Sequence, residues 1–265
     1  MAAIRFKNAA LVAIGVALLV GAVLLLWPRA GRQQGAGDAQ AGASACEVII
    51  FEGSRFTACR YRRGEDRIEL ILDAENQPIR SFASLQRFLG DRADTLRFAM
   101  NAGMFDESGK PIGLYVEHGR ERRALNRRDG PGNFHLMPNG VFTIDNVGQV
   151  AVVRSDAYRA RPEIVFATQS GPMMVIDGAL HPRISDNGAS LNIRNGVGVS
   201  APDTAWFAIS EEPVSFGRFA RFFRDRLGCP NALFLDGTVS SLWDRPAERQ
   251  DPNPALGPMV MVFRD

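Results

Sequence analysis

The amino-acid sequence predicts an α+β fold: a single domain with a mixed, mostly antiparallel β-sheet core and few helices, preceded by one N-terminal transmembrane helix. Three observations carry this expectation. Residues 9–27 are almost uniformly apolar, short β-rich runs alternate with Gly, Pro, Asn and Asp turn signals beyond residue 45, and only two stretches repeat apolar residues at helical spacing. At 265 residues, 46% of them hydrophobic, the chain can bury one large core. The formal charge of +2 is close to balance, and the basic residues are scattered arginines with Lys7 and Lys110 the only lysines. No clustered basic stripe suits a nucleic acid.

Residues 1–27 read as a short basic tail, with Arg5 and Lys7, followed by a signal anchor. The apolar run is about as long as a helix must be to cross a bilayer at roughly 1.5 Å per residue. A small-residue site, Ala43-Ser44-Ala45, lies well beyond that run, so retention as an anchor is expected in preference to cleavage. Arg29 and Arg32 follow the span as Arg5 and Lys7 precede it, so charge does not set its orientation. Residues 28–45, rich in Gly, Ala and Gln, form a flexible linker, and residues 46–265 form the folded domain. Cys46 and Cys59 flank two β-rich runs around the hairpin signal Glu52-Gly53-Ser54. Paired strands bring the two cysteines together, either as a disulfide or as two reduced core thiols. A bridge implies an oxidising compartment, hence a domain in the periplasm or extracellular space.

The next elements are scaffold. Ile68–Asp73 reads as a strand, and Ser81–Leu89 as a short helix capped by Ser81, stopped by Gly90 and burying Phe82, Leu85, Phe88 and Leu89. Arg97–Met100, Gly113–Val116, Gly140–Ile144, Val150–Val153 and Ile164–Ala167 follow as short strands, with Asn146–Gly148 a turn. Met173–Ile176 leads into Asp177-Gly178, which suits a type I′ hairpin, and Val197–Ser200 neighbours Ala205–Ser210. The longest amphipathic helix runs from near Ser215 to Gly228. Phe216, Phe219, Phe223 and Leu227 recur on its core side, while Arg218, Arg221 and Arg224 form a solvated face. Cys229 reads as a small apolar core residue.

Three strand ends carry the chemistry. Ala232–Leu235, between Pro230 and Asp236, suits a strand buried on both faces; it stops on a carboxylate, then Gly237, free to take positive φ, and the hydroxyls of Thr238, Ser240 and Ser241. Asp236 is either a reactive carboxylate held at the rim of a rigid sheet or the cap of the following turn. The Arg97 strand ends on Asn101-Ala-Gly-Met-Phe105, and the Ile164 strand runs into Gln169-Ser-Gly-Pro172. In each, a polar side chain precedes a glycine that lets main-chain donors approach. No GxSxG elbow, P-loop or GxGxxG is present, and His118, His135 and His181 lack metal-ligand spacing, so no metal ligand is assigned and no cofactor is expected.

Six motifs occur in an order that resembles the phosphodiester glycosidase family: Asn101–Phe105, Pro111–Leu114, Gly132–Gly140, Gln169–Pro172, Arg194–Gly198 and Leu235–Ser241. The resemblance spans roughly Cys46 to Phe263. It implies an exported hydrolase that cleaves a sugar from a glycosyl phosphodiester or related envelope glycan, anchored to the membrane by its N-terminal helix. It also implies Asp236, Arg194 and Asn101 as catalytic residues, with Gly103, Met104, Gln169, Gly171, Gly237, Thr238, Ser240 and Ser241 around the substrate. Read without the family, Arg194 has the alternative of a structural ion pair. Ordinary glycosidases need two carboxylates because an alcohol leaves poorly. A phosphate ester leaves readily, so one carboxylate, a cation for the phosphate and amide donors suffice. No second carboxylate is assigned; Asp106 lies near the Asn101 turn. Active relatives tend to carry paired aromatics after the Asn-Gly turn and two further glycines after Asp-Gly, where this chain has Met104-Phe105 and Thr238-Val239. The alternative function is a non-catalytic glycan-binding or envelope-organising protein with the same pocket.

Overall fold

The computed structural model describes residues 44–74, 77–252 and 255–265. The anchor expected over residues 1–27 and the linker up to residue 43 lie outside them. Among the described residues no helix is long and apolar enough to cross a membrane.

The chain begins with β1 (Cys46–Phe51), β2 (Ser54–Arg62), β3 (Asp66–Ile71), β4 (Asp73–Ala74) and β5 (Gln77–Pro78), then helix α1 (Phe82–Leu89) and β6 (Leu96–Asn101). It continues through β7 (Tyr115–Glu117), β8 (Arg120–Arg123), β9 (Gly140–Asp145), β10 (Val150–Arg154), β11 (Ile164–Ser170), β12 (Met173–Ile176) and β13 (Ala179–Leu180). The last elements are β14 (Asn195–Ala201), β15 (Thr204–Ser210), helix α2 (Phe216–Arg221), β16 (Asn231–Phe234), β17 (Leu242–Asp244), β18 (Arg249–Gln250) and β19 (Met259–Arg264).

The strands build a seven-stranded sheet in the order β1-β2-β15-β14-β16-β12-β13 and two five-stranded sheets, β10-β9-β11-β7-β8 and β18-β17-β6-β19-β3. Every pairing within them is antiparallel, which corrects the expected mixed sheet; among the described residues the one parallel contact is an isolated bridge, Arg63 to Asp66. The cause is local. Hairpin partners such as β1–β2 and β12–β13 are joined by the tight turns Glu52-Gly53 and Asp177-Gly178, all four residues at positive φ, and parallel neighbours need a long crossover that these turns do not supply.

The central core draws on all three large sheets, with Phe207 of β15 meeting Phe98 of β6 and Phe142 of β9, each at 5.6 Å. Helix α1 covers the sheet containing β6, burying Phe82, Leu85 and Leu89 under a Ser81 cap whose Oγ accepts from Ser84 N. Phe88, expected on that face, is instead 46% exposed, because it falls one residue short of the 3.6-residue stripe set by Leu85 and Leu89.

Helix α2 covers the seven-stranded sheet and is shorter than the sequence pattern suggests. At Phe222 it widens into a π turn, Phe222–Arg226, before Gly228 closes it at φ 66°. The wider turn lets two consecutive aromatics face inward: Phe222 stacks on Phe56 at 4.2 Å and Phe223 meets Phe219 at 5.2 Å. Nor are its arginines merely solvated. Arg221 grips Glu52 of the β1–β2 turn with two bonds of 2.7 and 2.6 Å, and Arg218 donates to Ser54 at 2.8 Å. Cys46 and Cys59 face each other across β1 and β2 and form a disulfide, while Cys229 is a buried thiol that burial pushes up to about 12.

Candidate active site

The site lies where the chain passes between sheets. Strand β16 belongs to the seven-stranded sheet and β17 to the sheet of β6, so residues 235–241 form the crossover. Buried side chains alternate along β16: Leu233 and Leu235 join the central core, and Ala232 and Phe234 the core beneath α2. A strand packed on both faces holds its end rigidly. Beyond it, Asp236 caps the turn Gly237–Val239, its Oδ1 accepting from Thr238 N at 3.2 Å.

Asn101, at the end of β6, stitches this crossover. Its Nδ2 donates to the Asp236 carbonyl at 2.8 Å and its Oδ1 accepts from Ser241 N at 2.9 Å. Both bonds are made to main chain, as expected of a buried amide that must satisfy every polar atom.

A cavity of about 600 Å³ opens beside the turn. It is lined by Met104, Phe105 and Ile112 from the loop after β6, by Asn133, by Asn192–Arg194 ahead of β14, and by Phe234, Asp236, Gly237 and Thr238. Among the described residues Asp236 is its only carboxylate. Burial raises the Asp236 carboxyl above its ordinary range, and bonds from Thr238 and the Phe105 main chain partly oppose this.

Arg194 is 1% exposed. Its Nε donates to Val214 O at 2.9 Å, and its Nη2 to Ser190 O at 2.8 Å, with Ser190 Oγ more distant at 3.4 Å. Nη1 takes part in none of these bonds. No carboxylate pairs with it among the described residues, so the ion-pair alternative does not hold, and burial pulls its guanidinium down to about 10. A buried cation held by carbonyls and aromatic rings, at a cavity wall, is suited to an anionic ligand.

Of the residues singled out from sequence, Met104, Arg194, Asp236, Gly237 and Thr238 line the cavity together. Asn101, Gly103, Gln169, Gly171, Ser240 and Ser241 do not line it. Gln169 accepts from Leu114 N and Asn126 N, each at 2.9 Å, and donates to Asn126 O at 2.7 Å, so it ties down the loop that leads towards Asn133. A Cβ on Gly103 would stand 2.6 Å from Gln169 O, and one on Gly171 would stand 2.7 Å from the Asn139 Cβ; both glycines serve close packing behind the cavity. Ser240 Oγ donates to Gly237 O at 3.0 Å and Ser241 Oγ to Val239 O at 2.8 Å, within the turn itself. Gly237 has no positive φ; it is required because a Cβ there would lie 2.4 Å from the Phe234 ring. Asp106 sits in an exposed turn, accepting from Ser108 and Lys110, and is not part of the lining.

Sequence reading missed Phe105, Ile112, Asn133, Asn192, Ile193 and Phe234 as lining residues. Phe105 and Asn133 stand inside quoted motifs and were legible there. Asn192 and Ile193 flank Arg194 in a loop without a pattern of its own.

The sequence profile of a family described as phosphodiester glycosidase matches residues 94–258, more than half of the chain. The Escherichia coli (strain K12) protein YigE, described as uncharacterized, is 43% identical over 148 residues, which are 56% of this chain and 58% of that protein. The match thus spans less than two-thirds of that relative. Among solved structures, the zebrafish N-acetylglucosamine-1-phosphodiester alpha-N-acetylglucosaminidase catalytic domain, auto-inhibited by its pro-peptide, aligns with a TM-score of 0.52 at 14% identity, covering 83% of this chain and 81% of that one. A putative exported protein from Burkholderia pseudomallei K96243 aligns at 0.54 and 11% identity, covering 79% and 74%. At these identities the likeness is one of fold. The profile match over the segment that holds Asn101, Arg194 and Asp236 places this chain in the phosphodiester glycosidase family.

Proposed function

We propose that the chain hydrolyses glycosyl phosphodiesters, or related envelope glycans, in the cavity shared by Asp236 and Arg194. The observation that carries this reading is the pairing itself: a buried guanidinium without a carboxylate partner and one half-buried carboxylate line the same space. Arg194 holds the phosphate diester. Water adds its oxygen to the anomeric carbon as the bond from that carbon to the ester oxygen breaks, and the bonding electrons leave with the phosphate. Asp236 takes the proton of water as base, or adds first as nucleophile and is released by water. The products are a reducing sugar and a phosphate monoester, and no acid is needed for the leaving group. Asn101 acts through the Asp236 main chain. The zebrafish enzyme is named for its action on an N-acetylglucosamine-1-phosphodiester, which supports the substrate class.

The Cys46–Cys59 bridge favours an oxidising compartment. With the apolar run over residues 9–27, it supports a domain exported to the periplasm or outside and held on an N-terminal anchor.

The test is release of reducing sugar from a panel of sugar-1-phosphodiesters by wild type and by Asp236→Asn. Release that vanishes in the variant supports hydrolysis at this cavity. The solitary carboxylate also suits a glycan-binding protein without turnover, and that reading gains if glycans bind while no substrate in the panel is cleaved.

A further inference from the structure

Asn195 directly follows Arg194, is fully buried, and does not line the cavity. Its Nδ2 donates to Asn101 Oδ1 at 2.9 Å and to Asn101 O at 3.0 Å. Its Oδ1 lies 3.3 Å from Ser240 Oγ, whose one proton it shares with the nearer Gly237 O, and its main-chain O accepts from Leu235 N at 3.1 Å. Asn101 in turn holds Asp236 O and Ser241 N, the two ends of the turn. One side chain therefore links the strand that begins after Arg194 to the whole crossover that carries Asp236.

We infer that Asn195 is a positioning residue that fixes the separation between Arg194 and Asp236 by clamping Asn101, an inference that rests on the phosphodiester hydrolase reading. In the dry interior the Asn195 amide donates to both the side-chain and the main-chain oxygen of Asn101, while the Asn101 amide donates onward to Asp236 O. Rotation of either one leaves a buried donor or acceptor unpaired, so the pair has one favoured arrangement. The chemistry needs this side chain in particular. Aspartate has the same shape but lacks the donors, and leucine lacks donor and acceptor alike. A phosphate ion would be held chiefly by Arg194 and makes no bond that needs Asp236 in a set place. Cleavage of a sugar phosphodiester needs both groups in register, and a displacement of about 1 Å costs on the order of 10²-fold in rate.

The experiment compares wild type with Asn195→Asp, and with Asn195→Ser should the first fail to fold. It measures kcat and KM on a sugar-1-phosphodiester, the affinity for inorganic phosphate, and hydrogen exchange at the amides of Thr238 and Ser241. The expected result is a fall in kcat of about 10- to 100-fold, phosphate affinity within about twofold of wild type, and faster exchange at both amides. Unchanged turnover overturns the inference. So does a fall in phosphate affinity that parallels the fall in kcat, because that is general damage and not lost register. If wild type cleaves no phosphodiester, the hydrolase reading itself fails and exchange alone decides the clamp. Faster exchange with phosphate affinity retained then supports it, and unchanged exchange overturns it.

Discussion

The Arg194 guanidinium carbon lies 3.6 Å from the centroid of the Phe216 ring, and the Phe234 ring lies 5.7 Å away on the same cation. The two rings meet edge-on at 4.7 Å, so the charge rests in an aromatic cleft and not against a carboxylate. Rings and carbonyls offset only part of the cost of removing this cation from water. That imbalance is why its pKa falls to about 10, and it is also why an anion in the adjoining cavity would stabilise the fold.

Phosphate should therefore raise the melting temperature through Arg194. At a phosphate concentration about 100 times the dissociation constant the gain is about 2.7 kcal/mol, a shift of several degrees for a domain of this size. Arg194→Met should abolish the shift, and Arg194→Lys should weaken it, since an ammonium cannot reproduce the planar fork. The sign for stability is opposite. The folded pKa lies below the unfolded value, so the charge costs the folded state at every pH below about 10, and the cost is relieved as pH rises past it. At neutral pH and without phosphate, Arg194→Met removes that cost but also the donors to Val214 O and Ser190 O, so it should melt lower by less than two lost buried bonds imply, each about 1–3 kcal/mol. Thermal melts of both proteins with and without phosphate check both halves.

Asp236 gives a second opposition between activity and stability. Burial holds its carboxyl above the ordinary value of 3.8, and in the proposed hydrolysis the ionised form is the reactive one. Activity should fall as pH drops, along a limb lying above the usual carboxylate range. The folded state meanwhile bears the cost of a half-buried charge once pH exceeds the unfolded pKa, and gains as pH falls towards it. Asp236→Asn should lower turnover by about 10²–10⁴-fold while raising the melting temperature at pH 7. The anomer first released separates the two roles of the carboxylate: retention of configuration marks a nucleophile, inversion a base.

How far the site was legible follows from which physical signals are local. The β16 strand, its end at Asp236, the Ser81 cap and the Cys46–Cys59 hairpin rest on short patterns, and each is present. The cavity is not local: Arg194 and Asp236 meet because β14 and β16 pair, with Gly196 opposite Phe234, and no spacing in the sequence records that register. The same limit explains the polar residues. Asn101 and Gln169 look like ligand donors in isolation, yet they are engaged by main chain from distant segments, Asp236 and Asn126, and by the amide side chains of Asn195 and Asn139. The π turn at Phe222 was hidden for another reason. Phe219, Phe222 and Phe223 fit a helical stripe almost as well as they fit the wider turn.

The disulfide should matter to stability and not to the site. It joins β1 to β2 at one edge of the seven-stranded sheet, and β2 and β15 stand between β1 and β14. In the chain-entropy picture a loop of this size is worth about 3 kcal/mol. Only Ile49 of β1 is fully buried, while Val48 and Ile50 are 66% and 72% exposed, so apart from its ladder with β2 and the Arg221 grip on Glu52 this edge strand has little packing of its own. Reduction, or Cys46→Ser with Cys59→Ser, should lower the denaturant midpoint and speed hydrogen exchange along Cys46–Phe51. Phosphate affinity should stay unchanged; a loss there would mean that strain from the edge reaches β14.

Gly237→Ala tests whether the aromatic cleft sets the cation. Gly237 has no positive φ, so the substitution adds no backbone strain, and its whole effect is the contact of the new Cβ with the Phe234 ring at 2.4 Å. That ring is 2% exposed and touches both Phe216 and the Arg194 guanidinium, so it cannot yield without moving a wall of the cleft. Overpacking of this kind costs about 1–3 kcal/mol. The expected outcome is a melting point lower by several degrees, with phosphate affinity reduced by roughly tenfold, or about 1.4 kcal/mol. Pairing it with Phe234→Leu, which removes the opposing ring atoms, should give a double variant more stable than the sum of the single losses. Strict additivity in that cycle, or wild-type phosphate affinity in Gly237→Ala, would show that the ring packs beside Arg194 without holding it.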